Sequence, residues 1–323
     1  MTDTENTDKV EKSAQGSGIR TRRLGETLPV LYLETLVFTI VGQNLGGILV
    51  VIAGMCLGSL AEQRYDVWFT ASMYAVFIGI WMVTLLFIGL SAKRKPILQA
   101  VGRKSAGNNW KNLLLGFVLG FGMNGLCILA AYLHKDIVIQ FAGVRPVSLV
   151  LIFVMVFVQS SAEELLCRGF LYQMLLKGSG RPVYAIVGNS MFFAVMHLFN
   201  KGVTLLSVFN IFLFGILFSF MVYYMDSLWC AFAAHAAWNF TQNILFGLPN
   251  SGIVVPYSVF KLDTASAVNS FAYHVGFGIE GTILADVVLL AVCAVMCLWG
   301  RKYGTKTLGV WRQAGEWSYV NNE

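Results

Sequence analysis

Long apolar runs recur along the chain and are separated by short polar segments. A helix needs about 20 consecutive, mostly apolar residues to cross the hydrocarbon layer of a bilayer. Segments that approach or exceed this length occupy residues 31–58, 67–92, 112–133, 147–176, 183–199, 204–225, 227–246 and 281–300. The fifth is the shortest, and the sixth and seventh nearly meet at Asp226. The pattern predicts an all-α fold, a polytopic membrane bundle of about eight transmembrane helices.

Basic residues cluster in alternate connections between these runs. Most of the 23 Lys and Arg residues lie in residues 1–29, 93–111, 177–181 and 301–323. Because cytoplasmic loops are enriched in Lys and Arg, this distribution predicts that both termini are cytoplasmic and that the 247–280 segment lies outside. The chain then divides into a polar cytoplasmic tail (1–29), a single transmembrane helical domain (30–300) and a cytoplasmic C-terminal tail (301–323).

Composition agrees with a membrane protein and excludes several other classes. The 323 residues are 57% hydrophobic and only 12% charged, whereas a soluble domain is about 25% charged. A net charge of +6 is spread over short clusters, so we expect contact with the lipid bilayer and no binding of nucleic acid. The six cysteines lie in apolar runs, without the spacing of a structural zinc site or of a disulfide framework.

The fourth run contains the densest charge found in any apolar part of the sequence, at Glu163, Glu164 and Arg168. Charged groups inside a membrane helix are costly and usually face a partner or a cavity, so they indicate function. Glu164 and Arg168 are spaced i, i+4 in the favourable order for an ion pair, and Glu163 lies about 100° away around the helix. We expect Glu164 and Arg168 to support the structure and Glu163 to stay free for chemistry. The alternative is that all three form one structural network.

The fifth run adds His197, with Phe193 one turn earlier on the same face. If the fourth and fifth runs form a hairpin that turns near Gly180, Glu163 and His197 are equally far from the turn. They would then lie at similar depth, about 25 Å along their helices. Phe193 would form a wall of the site.

The seventh run contains His235 and Asn239, which project from one helix face. With Glu163 and His197, these residues suit two kinds of chemistry. A carboxylate and an imidazole can activate water while further donors stabilise an oxyanion. Alternatively, Glu163, His197 and His235 are a ligand set suited to zinc, with an open position for water.

Together, Glu163-Glu164-x-x-x-Arg168, Phe193-x-x-x-His197 and His235-x-x-x-Asn239 resemble the motifs of the CPBP family. This family contains the CAAX-type prenyl-protein endopeptidases and the bacteriocin-processing (Abi) proteins. The resemblance implies a catalytic core at 147–246 and an intramembrane endopeptidase. By that resemblance Glu163 and His197 activate water, and His235 and Asn239 form the oxyanion hole. Glu164 and Arg168 belong to the motif, and Phe193 completes the second part of it.

The resemblance leaves the metal and the substrate open. We favour direct Glu/His activation of water over a zinc site, and we expect a peptide or lipidated-protein substrate. A bacterial plasma membrane is the expected location. Two other functions remain as alternatives, a proton-coupled transporter that uses the same residues as a relay, and a non-catalytic scaffold or bacteriocin-immunity protein.

Overall fold

The computed structural model describes residues 27–305 and 310–313, and nearly all of them belong to helices or to the segments that join them. Most of the predicted tails, 1–29 and 301–323, therefore lies outside the described residues. The α-helices in chain order are α1 Leu28–Leu57, α2 Ser59–Gln63, α3 Tyr65–Ala75, α4 Ile78–Leu90, α5 Leu98–Val101, α6 Trp110–Leu133, α7 Pro146–Glu164, α8 Tyr172–Ser179, α9 Pro182–Met196, α10 Leu205–Met225, α11 Leu228–Asn239, α12 Ile283–Tyr303 and α13 Val310–Gln313.

Each of the eight predicted apolar segments coincides with helix. Six helical stretches of the described chain are long and apolar enough to cross a membrane, namely Leu28–Leu57, Tyr65–Leu90, Trp110–Leu133, Pro146–Ser179, Leu205–Met225 and Ile283–Tyr303. The fifth predicted segment forms the shorter helix α9, and the seventh forms α11. The chain is therefore a multi-pass all-α membrane protein, as predicted. The number of crossings and the side of each terminus stay predictions.

Two of the long stretches change helix type close to the predicted site. A π-helical segment, Leu165–Leu171, joins α7 to α8, and a second, Phe240–Leu245, continues α11. π-Helical turns are rare and occur frequently at functional sites. Here they follow directly after Glu164 and Asn239.

The turn between α8 and α9 was predicted near Gly180, and the structure confirms it. Gly180 ends α8 with φ of 71°, a left-handed conformation that favours glycine, and Pro182 occupies the first turn of α9. The hairpin packs α9 against the π-helical segment Leu165–Leu171 and against α8. It therefore brings the fourth and fifth predicted segments side by side.

Helix α11, which carries His235 and Asn239, lies in the centre of the bundle. All of its residues except the partly buried Trp229 are buried, and it packs against α6 and α7. Its close approach to α6 depends on Gly116 and Gly120, spaced as Gly-x-x-x-Gly. A Cβ atom at either position would overlap a backbone oxygen of α11, that of Cys230 or that of Ala234.

The 247–280 segment is folded rather than extended. Its strand β2, Phe260–Leu262, pairs antiparallel with β1, Ile139–Phe141, in the connection that follows α6. Its end forms a 3₁₀ turn at Ile279–Gly281 just before α12. Asn250 and Glu280 within this segment are buried and face the bundle.

Candidate active site

One cavity of about 260 Å³ contains all four residues predicted for catalysis. Glu163, His197, His235 and Asn239 line it, and they come from α7, the end of α9 and α11. Phe193, predicted as a wall, lines it too. The remaining walls come from α1, α3, α4 and α10, which lie outside the three sequence motifs, and from the 247–280 segment.

The two adjacent glutamates occupy different environments. Glu164 is fully buried, and its Oε1 accepts from Arg168 Nη1 and from His235 Nδ1, both at 2.9 Å. The side chain of Glu163 is 19% exposed and lines the cavity, where its Oε1 accepts from Gln159 Nε2 at 2.8 Å. The geometry therefore agrees with the predicted division, with Glu164 in an ion pair and Glu163 reaching the cavity.

Aromatic rings cover the charged pair and separate the two histidines. The Arg168 guanidinium lies 4.6 Å from the centre of the Phe193 ring and 5.4 Å from that of Phe218. The Phe193 ring also contacts the imidazoles of His197 and His235, at 4.8 Å and 6.0 Å between centroids. Phe218 stacks on His235 at 5.3 Å. These ring contacts hold both imidazoles in position and leave the ring nitrogens free to form hydrogen bonds.

The hydrogen bonds of both histidines determine which nitrogen carries a proton. His197 Nδ1 is 2.7 Å from the carbonyl oxygen of Phe193, so Nδ1 donates and Nε2 of the neutral ring can accept. His235 Nδ1 likewise donates to the Glu164 carboxylate. The Nε2 atom of His235 lies 3.7 Å from Glu163 Oε2. A water molecule that touches both Glu163 and the Nε2 of a neutral histidine would meet two proton acceptors.

The residues predicted as zinc ligands do not form a compact set. Glu163 and His235 are neighbours, but within residues 27–305 and 310–313 no group of three His, Cys, Asp or Glu side chains is arranged to hold a metal ion. His197 Nδ1 bonds the carbonyl of Phe193, which leaves its Nε2 free. The assignment of Glu163, His197 and His235 as zinc ligands stays a prediction.

A second buried carboxylate, Glu280, lines the same cavity and was not predicted. It is 4% exposed and accepts hydrogen bonds from Trp238, Asn250 and Ser251. Burial raises the pKa of Glu280, and the hydrogen bonds from Ser251 oppose that shift. Nothing in the apolar pattern singles out Glu280, because it lies at the end of a polar connection where an acidic residue is ordinary.

Gln159 and Asn250 are two further polar residues of the cavity that the sequence analysis did not assign to the site. Gln159 holds Glu163, and Asn250 donates to Asn239 Oδ1 at 3.2 Å. The only signal for Gln159 was its place one turn before Glu163 on a membrane helix. For Asn250 the sequence contained no signal, since its contact with Asn239 depends on how the 247–280 segment folds back.

A comparison with protein families finds one match in this region. Residues 145–241 match the family model described as type II CAAX prenyl endopeptidase Rce1-like. The matched segment contains the motif residues of α7, α9 and α11 and ends before the 247–280 segment. A comparison with curated protein sequences gives no match.

Proposed function

From the match of residues 145–241 to the Rce1-like family model, we propose that the chain is a CAAX-type membrane protease of the CPBP family and hydrolyses a peptide bond of a membrane-associated or lipidated peptide or protein. The observation that carries the proposal is the single cavity in which Glu163, His197, His235 and Asn239 meet. They come from three separate helices, with His235 and Asn239 both on α11, and together they offer proton acceptors and an amide donor around one space.

Glu163 is the proposed base. Because Glu164 is already paired with Arg168, Glu163 is the carboxylate of the adjacent pair that reaches the cavity. A water molecule bound to Glu163 Oε2 would lose a proton to the carboxylate as its oxygen attacks the scissile carbonyl. His197 contributes its Nε2 as a second acceptor and can return a proton to the leaving amine.

His235 and Asn239 are the proposed donors to the oxyanion. His235 Nδ1 is held by the Glu164 carboxylate, and its Nε2 points toward Glu163; with Nδ1 donating to Glu164, an Nε2–H is available to the oxyanion when the ring is an imidazolium. The Asn239 amide donates to Gln159 Oε1 at 3.1 Å and to Ser160 Oγ at 3.2 Å. A substrate oxygen would take the place of the Ser160 hydroxyl, which can rotate away.

The cavity also fits a substrate that approaches from the membrane. Apolar side chains of α3, of α4 and of the link between them, among them Met73, Phe77 and Ile80, line one side of it. These helices have many exposed apolar residues on their other faces, as expected for contact with lipid. A substrate anchored in the bilayer therefore reaches the site beside apolar walls.

The proposal is tested by incubating purified protein with a library of membrane-anchored peptides and identifying products by mass. We expect defined cleavage products that incorporate one oxygen from ¹⁸O-labelled water. Addition of a strong chelator should leave the rate unchanged, because the proposed activation of water uses Glu163 and His197 directly. Loss of activity on chelation, with recovery on adding Zn²⁺, would reject the metal-free mechanism but not the peptidase.

A further inference from the structure

A continuous line of hydrogen-bonded amides connects the two carboxylates of the cavity. Asn250 Nδ2 lies 3.0 Å from Glu280 Oε1 and 3.2 Å from Asn239 Oδ1. Asn239 Nδ2 lies 3.1 Å from Gln159 Oε1, and Gln159 Nε2 lies 2.8 Å from Glu163 Oε1. Three amides thus bridge from the 247–280 segment through α11 to the proposed base on α7.

Glu280 is held by donors only. Its Oε1 accepts from Trp238 Nε1 at 2.9 Å and from Asn250, and its Oε2 accepts from the backbone N–H and the hydroxyl of Ser251, both at 2.6 Å. An ionised carboxylate has no proton to donate, so it fits four donors. This pattern makes Glu280 a fixed acceptor at one end of the line.

A fixed acceptor at one end determines the direction of every amide in the line. Because Glu280 only accepts, Asn250 must turn its NH₂ group toward it, and the second N–H of that group meets the Asn239 oxygen. Asn239 must then turn its own NH₂ toward Gln159, which in turn directs an N–H to Glu163. Reversal of one amide would place oxygen against oxygen at a buried contact and leave both groups without a hydrogen bond.

Ser160 does not determine this direction. Its hydroxyl donates to Gln159 Oε1 at 3.0 Å and accepts from Asn239. A hydroxyl serves as donor or acceptor after rotation, so Ser160 fits either direction of the line. Glu280 lies outside α7 and α11. Among the described groups of the line that lie outside these two helices, its carboxylate is therefore the one that sets the direction of the hydrogen bonds.

We propose that Glu280 is a positioning residue that orients the amides of Asn250, Asn239 and Gln159 so that an N–H reaches Glu163. The inference rests on the proposed function of Glu163 as the base. It assigns a role to a residue that lies 39 positions beyond the end of the segment that matches the protease family, since that match ends at 241. Glu280 acts through the amides and does not itself contact the scissile bond.

The first test compares Glu280→Gln with Asp286→Asn. Asp286 is a matched control, because it too is a buried carboxylate that accepts from an amide, Asn210 Nδ2 at 2.8 Å, but neither Asp286 nor Asn210 lines the cavity. We expect Glu280→Gln to lower kcat about 10- to 100-fold through misplacement of Glu163, with KM changed by less than about twofold. Asp286→Asn should keep wild-type kcat even if both variants lose similar thermal stability.

The second test separates orientation from simple pairing. In the double variant Asn250→Asp with Glu280→Gln, the two side chains can still pair, but residue 250 can only accept, and the line must run in the opposite direction. We expect kcat to stay as low as in Glu280→Gln, because residue 250 no longer donates toward Asn239. The matching exchange Asn210→Asp with Asp286→Asn changes two residues that do not line the cavity, and it should leave kcat near wild type.

The outcomes distinguish the inference from the proposed function. Recovery of wild-type kcat in the Asn250→Asp, Glu280→Gln variant, or equal kcat in Glu280→Gln and Asp286→Asn, would overturn the orienting role of Glu280 alone. Wild-type activity in Glu163→Gln, measured in the same assay, would instead overturn the base on which the inference rests.

Discussion

Two neighbouring glutamates with the same chemistry have different partners because they project about 100° apart around the helix. Glu164 accepts two hydrogen bonds, from Arg168 and His235, in an interior from which water is excluded. Glu163 reaches the cavity and is held there by Gln159. A buried ion pair contributes to structure mainly through the penalty for removing one partner.

Substitution of Glu164 should therefore affect stability more than substitution of Glu163. Glu164→Ala leaves the fully buried Arg168 without its counterion, and we expect a loss of about 3–5 kcal/mol in the free energy of unfolding. Glu163→Ala should cost much less, because its side chain is partly exposed. Thermal unfolding of the purified variants in detergent measures both. Equal destabilisation would contradict the separate environments.

Several residues of the site could be predicted from sequence because each is polar in an apolar helix. This is why the sequence singles out Glu163, His197, His235 and Asn239. The i, i+4 spacing of Glu164 and Arg168 predicted their ion pair. Glu280 does not stand out, because it reaches the cavity only through the fold of a long connection. No local pattern encodes that path.

At the scale of elements, close approach of α6 and α11 holds the third motif in place. We predict that Gly116→Ala and Gly120→Ala lower activity and stability, since the added Cβ would overlap the backbone of α11 and overpacking costs about 1–3 kcal/mol. Gly122→Ala and Gly125→Ala are matched controls on the same helix, because a Cβ there meets no atom within 4 Å. Peptidase rate and thermal stability of the four variants provide the comparison.

Helix boundaries were predicted to within a few residues, whereas helix type was not. The apolar runs determine where α1, α6 and α10 begin and end, since hydrocarbon thickness limits each run. The π-helical segments Leu165–Leu171 and Phe240–Leu245 are invisible in such a pattern. They depend on packing around the site, which a single sequence does not contain.

At the scale of the whole molecule, the distribution of Lys and Arg predicts a definite orientation. In a variant whose exposed Cys56 is replaced by Ser, a cysteine at Val254 in the 247–280 segment should react with a membrane-impermeant maleimide added outside intact cells. A cysteine at Lys95, between α4 and α5, should react only after permeabilisation. The reverse labelling pattern would show that the bundle has the opposite orientation.

The central claim, that Glu163 acts as the base of a membrane peptidase, is tested most directly by the rate of Glu163→Gln. This substitution keeps the size of the side chain and removes its ability to take a proton. The account predicts that peptide hydrolysis falls at least about 10²- to 10⁴-fold while the thermal stability of the protein stays near wild type. Hydrolysis at the wild-type rate by the folded variant would contradict it.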